Sequence, residues 1–271
     1  YLLGVPAMAS AYLVSNLCLA GSGVALYALV QHDSGDAAAA RAVWLLMLCP
    51  VSFFFSAPFT ESVFLLTTLL AVLCARKKRF LLAVVFGALS ANCRSLGMAT
   101  AIPIFWEMLR DARDRAPEGR ISLRSAALCV LRVLPVSLGL IAYLLLNKQI
   151  TGDPLTFLTY QSEHWGQRFG SPMDTIRYTV DYAFTFYEES YRAGVWWPQA
   201  VSILAALGLT AACWRRLHAG DAAYALVYFY VAIAPTWLLS GARYLGAMYA
   251  LFPMLASVTD RRWKYILALA A

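Results

Sequence analysis

Apolar runs that approach the ~20 residues needed to cross a ~30 Å hydrocarbon core recur along this chain, separated by short polar loops, and that pattern constrains the fold most. They cover residues 2–30, 42–55, 63–75, 80–91, 96–109, 125–146, 196–214, 222–239 and 245–258, and another begins at Lys264. With 61% hydrophobic and only 14% charged residues, a chain so patterned cannot bury its apolar surface as a water-soluble domain. Backbone polar groups in lipid must be satisfied within the segment, so the runs read as helices and the class is all-α, a polytopic helical membrane protein. The expectation is one transmembrane domain over residues 1–271 with about eight to ten membrane helices.

Several runs are broken at places that matter. Pro50 interrupts the second, and the polar elbow Ser56-Ala57-Pro58-Phe59-Thr60-Glu61-Ser62 follows it. The runs 80–91 and 96–109 read as two short helices hinged at Asn92-Cys93-Arg94-Ser95. A polar segment, 148–195, precedes Trp196-Trp197, which reads as an aromatic anchor at the membrane interface. Within it Ser171 suits a helix cap, Pro172 the first helical position and Asp174 the third residue after the cap. Ile176, Val180, Phe184, Tyr187 and Tyr191 then share one stripe. They predict an amphipathic helix over about 172–193, lying on the membrane surface or packed on the membrane domain.

Lys and Arg in short loops mark the cytoplasmic side. Alternating the spans from Arg76-Lys77-Lys78-Arg79 puts 31–41, 107–124, 215–221 and 260–264 inside as well. These inner segments hold 15 Lys/Arg against 8 Asp/Glu, whereas the outer loops hold 6 against 7. The net charge of +7 is then a topology signal. No basic stripe interleaved with aromatics occurs outside the inner loops, which argues against a nucleic-acid partner. The six cysteines are scattered, five of them in apolar runs, and form no disulfide framework; no His/Cys pair has metal-ligand spacing.

On that topology four features share the outer face: the Phe59-Thr60-Glu61-Ser62 elbow, the Arg94 hinge, Tyr160-Gln161-Ser162-Glu163-His164-Trp165 in the 148–195 loop, and Ser240-Gly241-Ala242-Arg243-Tyr244. Ionisable groups at membrane depth are costly unless paired or wet, so each is a candidate. Each also has a plain alternative. Glu61 suits a helix start after Thr60. Arg94 could snorkel to the interface, and Arg243 with Tyr244 could anchor there. His164 alone reads as a loop residue, and Trp165 serves equally as an interface anchor or a sugar-stacking ring. Together, two arginines, carboxylates and aromatics among broken helices suit an anionic lipid headgroup, because guanidinium pairs bidentately with phosphate.

The segment from Cys49 to Ser62 resembles the P-x-x-x-F-x-S-A-x-Y-T-E-S stretch of the PIG-V mannosyltransferases, with Phe59 in place of the usual tyrosine. The resemblance continues, in order, through Leu13-Val14-Ser15-Asn16, Cys93-Arg94-Ser95-Leu96-Gly97, Thr151-Gly152-Asp153-Pro154, Gln161 to Gly166 and Ser240 to Tyr244. It implies a GT-C glycosyltransferase fold. It also implies transfer of mannose from a polyprenyl- or dolichyl-phosphate donor to a lipid-linked or glycan acceptor on the non-cytoplasmic face. Carried over residue by residue, Arg94 and Arg243 become donor-phosphate contacts, with Glu61, Glu163, His164 and Tyr244 lining the cavity. The family's acidic general base belongs to a first outward loop that would precede Tyr1, so the catalytic base is not assigned and the chain is expected to lack the first helix. Whether a divalent metal assists is left open. High Ala, Arg and Leu content points to a GC-rich bacterial genome and the cytoplasmic membrane, or the endoplasmic reticulum membrane for a eukaryotic chain. A transporter or flippase is the alternative class, which predicts pseudo-symmetric halves and charges near the midplane. An inactive membrane scaffold is the third.

Overall fold

A computed structural model describes residues 6–116 and 119–261, so the span expected from Lys264 lies outside the described residues. Within them every regular element is helical, and one isolated antiparallel bridge joins Phe169 to Pro235. The chain opens with α1 (Ala7–Ser34), which turns at Gly35 into α2 (Asp36–Leu48). Tyr27 and Gln31 both donate to Asp36 Oδ1, at 2.9 and 2.7 Å, and close that hairpin. Pro50 disfavours helical geometry in the residue before it. Cys49 is accordingly extended, and a short turn with α3 (Phe53–Ser56) leaves at 66° to α2.

After the elbow, α4 (Glu61–Arg76) runs through the middle of the molecule with most of its side chains buried. α5 (Phe80–Cys93) packs along it and stops where Arg94 swings to φ −154°, ψ 141°. A 3-10 turn, Ser95–Thr100, leads into α6 (Ala101–Arg115), so the hinge lies where the sequence puts it. α7 (Leu123–Val133) and α8 (Ser137–Thr151) are nearly continuous through a turn carrying Pro135. Ser122 starts α7 by accepting the Ser125 N–H at 3.1 Å. α8 crosses α5 closely: a Cβ on Gly139 would lie 1.7 Å from the Ala88 carbonyl oxygen.

The 148–195 segment is structured. It holds the end of α8, then α9 (Thr156–Trp165), α10 (Pro172–Thr185) and the single turn α11 (Glu189–Tyr191), which passes through a wide π-type turn into α12 (Trp197–Cys213). α13 (Ala219–Ile233), α14 (Gly241–Gly246) and α15 (Leu251–Val258) are the last helices among the described residues.

α10 corrects the expected amphipathic helix in two ways. It ends at Thr185, not near 193, because Phe186 turns extended at ψ 133°. Its buried face is Thr175, Thr179 and Ala183, where small side chains let helices approach closely. Phe184 and Tyr187, from the expected stripe, point outward at 61% and 86% exposure. Trp196 is likewise no interface anchor but fully buried, packed among Tyr178, Tyr182 and Phe186; Trp197 beside it is exposed.

Among the described residues three helical stretches are long and apolar enough to cross a membrane, Ala7–Ser34, Leu123–Thr151 and Glu189–Cys213, with a fourth if the bent pair Asp36–Leu48 and Pro50–Ser56 is one span. α5 and α13 are apolar but shorter. The packing fits the membrane reading. Large apolar side chains such as Leu81 and Leu123 face outward, while Ser22, Ser62, Thr68, Ser90 and Thr100 are buried. Small polar residues at interfaces let helices pack where lipid removes the hydrophobic driving force between them.

Candidate functional site

The first residue of α4 organises one end of the bundle. Glu61 is completely buried, at the helix terminus whose dipole favours an anion. Thr60 does not cap α4 with its side chain. Instead the Glu61 carboxylate is held from outside the helix: its Oε1 accepts from Arg94 Nη1 and, at 2.5 Å, from Arg243 Nε, while Oε2 has no partner among the described residues. Arg94 reaches this point because α5 breaks there. The break is compact because Gly97 lies against α5, where a Cβ would fall 2.2 Å from the Ser90 carbonyl carbon. Arg243 comes from the start of α14, whose approach is fixed when Gln199 Oε1 accepts the Gly241 N–H at 3.0 Å.

Aromatic faces hold both guanidinium groups. Arg94 lies 4.8 Å from the centroid of Tyr244, and Arg243 lies 4.2 Å from that of Phe59 and 5.3 Å from that of Phe54. Tyr244 is fixed in turn, its carbonyl accepting from Tyr228 Oη at 2.9 Å. α1 joins the site at Ser15 and Asn16: Asn16 exchanges hydrogen bonds with Ser56 at 2.9 and 3.1 Å, and Ser15 Oγ donates to the Phe59 carbonyl at 3.4 Å. Among the described residues, Arg94 keeps Nε and Nη2, and Arg243 both terminal nitrogens, without a protein partner. Each arginine side chain is partly open to the surroundings, at 15% and 22%. With one carboxylate against two guanidinium groups, the cluster carries one surplus positive charge and spare donors.

Of the six residues expected to line the site, Glu61, Arg94, Arg243 and Tyr244 meet in this cluster. Glu163 and His164 do not touch it. Both are exposed on α9, and His164 Nδ1 lies 3.2 Å from the Tyr160 carbonyl of its own helix. The chain after α9 is nevertheless stitched to the strap that leads to Arg243: Thr236 N–H donates to the Arg168 carbonyl at 2.7 Å, and Gly170 N–H to that of Ala234 at 2.8 Å. Thr151-Gly152-Asp153-Pro154 closes on itself instead, with Asp153 Oδ1 accepting the Leu155 N–H at 2.9 Å.

A second ionic cluster, which the loop-charge reading treats as topology alone, lies at the other end of α4. Fifteen residue steps separate Glu61 from Arg76, about 22 Å along the axis. Arg76 donates from Nε to Asp33 at 3.2 Å, from Nη1 to Glu107 at 2.7 Å and from Nη2 to Asp221, and its side chain is 2% exposed. Tyr249 donates to Asp221 at 2.6 Å, and His218 lies 3.5 Å from Asp33. Each nitrogen of Arg76 has a carboxylate partner and the side chain is buried, so this cluster ties α1, α4, α6 and α13 together. No group of three or more His, Cys, Asp or Glu among the described residues is placed to hold a metal ion.

These contrasts single out the Glu61 end. Comparison of the chain with protein-family models, curated proteins and solved structures gave no match.

Proposed function

We propose that the chain is a GT-C-type glycosyltransferase of the PIG-V kind, which moves mannose from a polyprenyl-phosphate donor to a lipid-linked or glycan hydroxyl, with the Glu61 end on the non-cytoplasmic face. One observation carries the reading: Arg94 and Arg243 share a single buried carboxylate oxygen and keep unpartnered N–H groups at a partly open end. A sugar-phospho-lipid is a monoanionic phosphodiester, matched by the one surplus positive charge. As the sugar leaves, the phosphate gains negative charge, so fixed cations bind the transition state better than the ground state.

In this scheme Arg94 and Arg243 hold the phosphate, and Glu61 positions both. Glu61 is not the base, since it is fully buried and its Oε1 is committed to both arginines. Asp153 is occupied by its own turn. Labelled-mannose transfer into lipid-extractable material, in membranes carrying the full-length protein, tests the reading. Arg94→Ala is expected to lower that transfer at least tenfold while membrane insertion stays within twofold. Unchanged transfer overturns the phosphate clamp.

A further inference from the structure

Trp237 has a backbone conformation that its side chain does not favour. Its φ is +52°, a left-handed value that non-glycine residues rarely adopt and that costs of order 1–3 kcal/mol. The surroundings over-determine it. On one side, Thr236 exchanges two hydrogen bonds with Arg168, its N–H donating to the Arg168 carbonyl at 2.7 Å and its Oγ1 accepting from Arg168 N–H at 2.9 Å. At the residue itself, Gln167 Nε2 donates to the Trp237 carbonyl at 3.0 Å. On the other side, Tyr178 Oη accepts the Leu238 N–H at 2.6 Å, and Gln199 Nε2 donates to the Leu238 carbonyl. Glycine or asparagine would meet the same bonds at lower cost. The site therefore keeps a tryptophan there at the expense of the backbone.

Burial alone does not explain the ring. It is 39% exposed, whereas Trp196 behind it is fully buried. Trp196 and Tyr182 meet it edge to face, at 5.6 and 6.1 Å between centroids, and fix its plane. Trp196 Nε1 is buried with no acceptor among the described residues, a further polar cost carried by this aromatic group. A lipid-interface anchor needs no fixed backbone and no clamped ring. A rigid, half-open aromatic plane is instead what stacks against the C–H face of a pyranose, whose partial positive hydrogens meet the negative π face. The strap that carries Trp237 continues through Gly241 to Arg243, six residues on, within about 20 Å by chain reach.

We propose that Trp237 is the stacking platform of a pyranose-binding subsite on the strap that leads to Arg243. The proposal rests on the glycosyltransferase reading only for which sugar is delivered there.

The test uses the full chain, purified in a detergent without a sugar headgroup, and ligand-observed saturation-transfer NMR with methyl α-mannopyranoside, sorbitol serving as an open-chain control. Saturable transfer to the mannoside and none to sorbitol is expected. Trp237→Gly, which suits the left-handed backbone, should weaken mannoside binding at least tenfold without lowering the melting temperature. Trp237→Asn should do the same, and Trp237→Tyr should restore binding to within about fivefold of wild type. Equal binding in Trp237→Gly, or no saturable signal in the wild type, overturns the subsite. Undecaprenyl phosphate, titrated in parallel, separates the two ideas. Trp237-dependent mannoside binding without lipid-phosphate binding would sink the clamp and leave the subsite standing; the reverse would sink the subsite alone.

Discussion

Replacing Arg76 by methionine tests the division of labour between the two ionic clusters. The substitution keeps an unbranched side chain but removes the cation shared by Asp33, Glu107 and Asp221. Breaking one buried ion pair by removing one partner costs about 3–5 kcal/mol, because the remaining charge stays buried. Here three carboxylates lose one partner together. Asp33, at 15% exposure, recovers some solvation, while Glu107 and Asp221, at 9% and 8%, recover little. A loss near the top of the pairwise range follows, a large share of the ~5–15 kcal/mol that holds a typical domain. At about 2–4 °C per kcal/mol, the melting temperature should fall by roughly 10–20 °C. The assay is thermal unfolding of the purified protein in detergent, with monodispersity followed by size exclusion. Neutralising the stranded acids in Arg76→Met/Glu107→Gln/Asp221→Asn should recover more than half of the loss, since replacing both partners of a buried pair is often close to neutral. Mannosyl transfer per folded molecule should stay within about threefold of wild type, the opposite of Arg94→Ala, because Arg76 sits ~22 Å from Glu61. A melting temperature within about 2 °C of wild type for Arg76→Met, or a triple variant no better than the single one, would refute the reasoning.

Two further outcomes follow from the packing and the site. Gly139→Ala forces a Cβ into the Ala88 carbonyl and should cost about 1–3 kcal/mol in the same melt, whereas Gly208→Ala, with nothing near its Cβ, should be neutral or slightly stabilising. Glu61→Gln raises the surplus charge of the cluster from one to two, so it should bind dianionic polyprenyl phosphate more tightly than wild type while transfer slows at least tenfold; product-inhibition constants measure this, and weaker product binding would contradict the charge count.

Much of the skeleton was legible before any coordinates. Pro50 dictates the bend after α2, and the polar Asn92-Cys93-Arg94-Ser95 run marks the α5–α6 hinge. Of the polar stretches that interrupt the apolar runs, those that contain Ser15, Asn16, Glu61, Arg94 and Arg243 meet at one end of the bundle. The rest depends on which way a single residue faces. Arg76 reads as one of four consecutive basic residues, yet it is buried while Lys77, Lys78 and Arg79 stay exposed. Nothing in a run of like charges says which of them turns inward. Trp196 and Trp197 pose the same problem, one wholly buried and its neighbour open. α10 inverts the usual inference from apolar stripes: small Thr175, Thr179 and Ala183 take the packed face because close approach matters more there than apolar area.

The stoichiometry of the two clusters explains why they serve different ends. At Arg76, three acids meet one base, every guanidinium nitrogen is used, and the result is a tie between helices. At Glu61, two bases meet one acid, and the carboxylate satisfies only part of each guanidinium. A tyrosine column joins them through the core: Tyr249 lies 4.5 Å from Tyr224, which lies 5.4 Å from Tyr228, whose hydroxyl holds the Tyr244 carbonyl under Arg94. Packed tyrosines thus run from the saturated end to the backbone beneath the unsaturated pair of arginines, where the Tyr228 hydroxyl itself fixes Tyr244. Spare donors held that firmly need little reorganisation as charge builds on a bound phosphate, and that is the condition under which fixed cations lower a barrier.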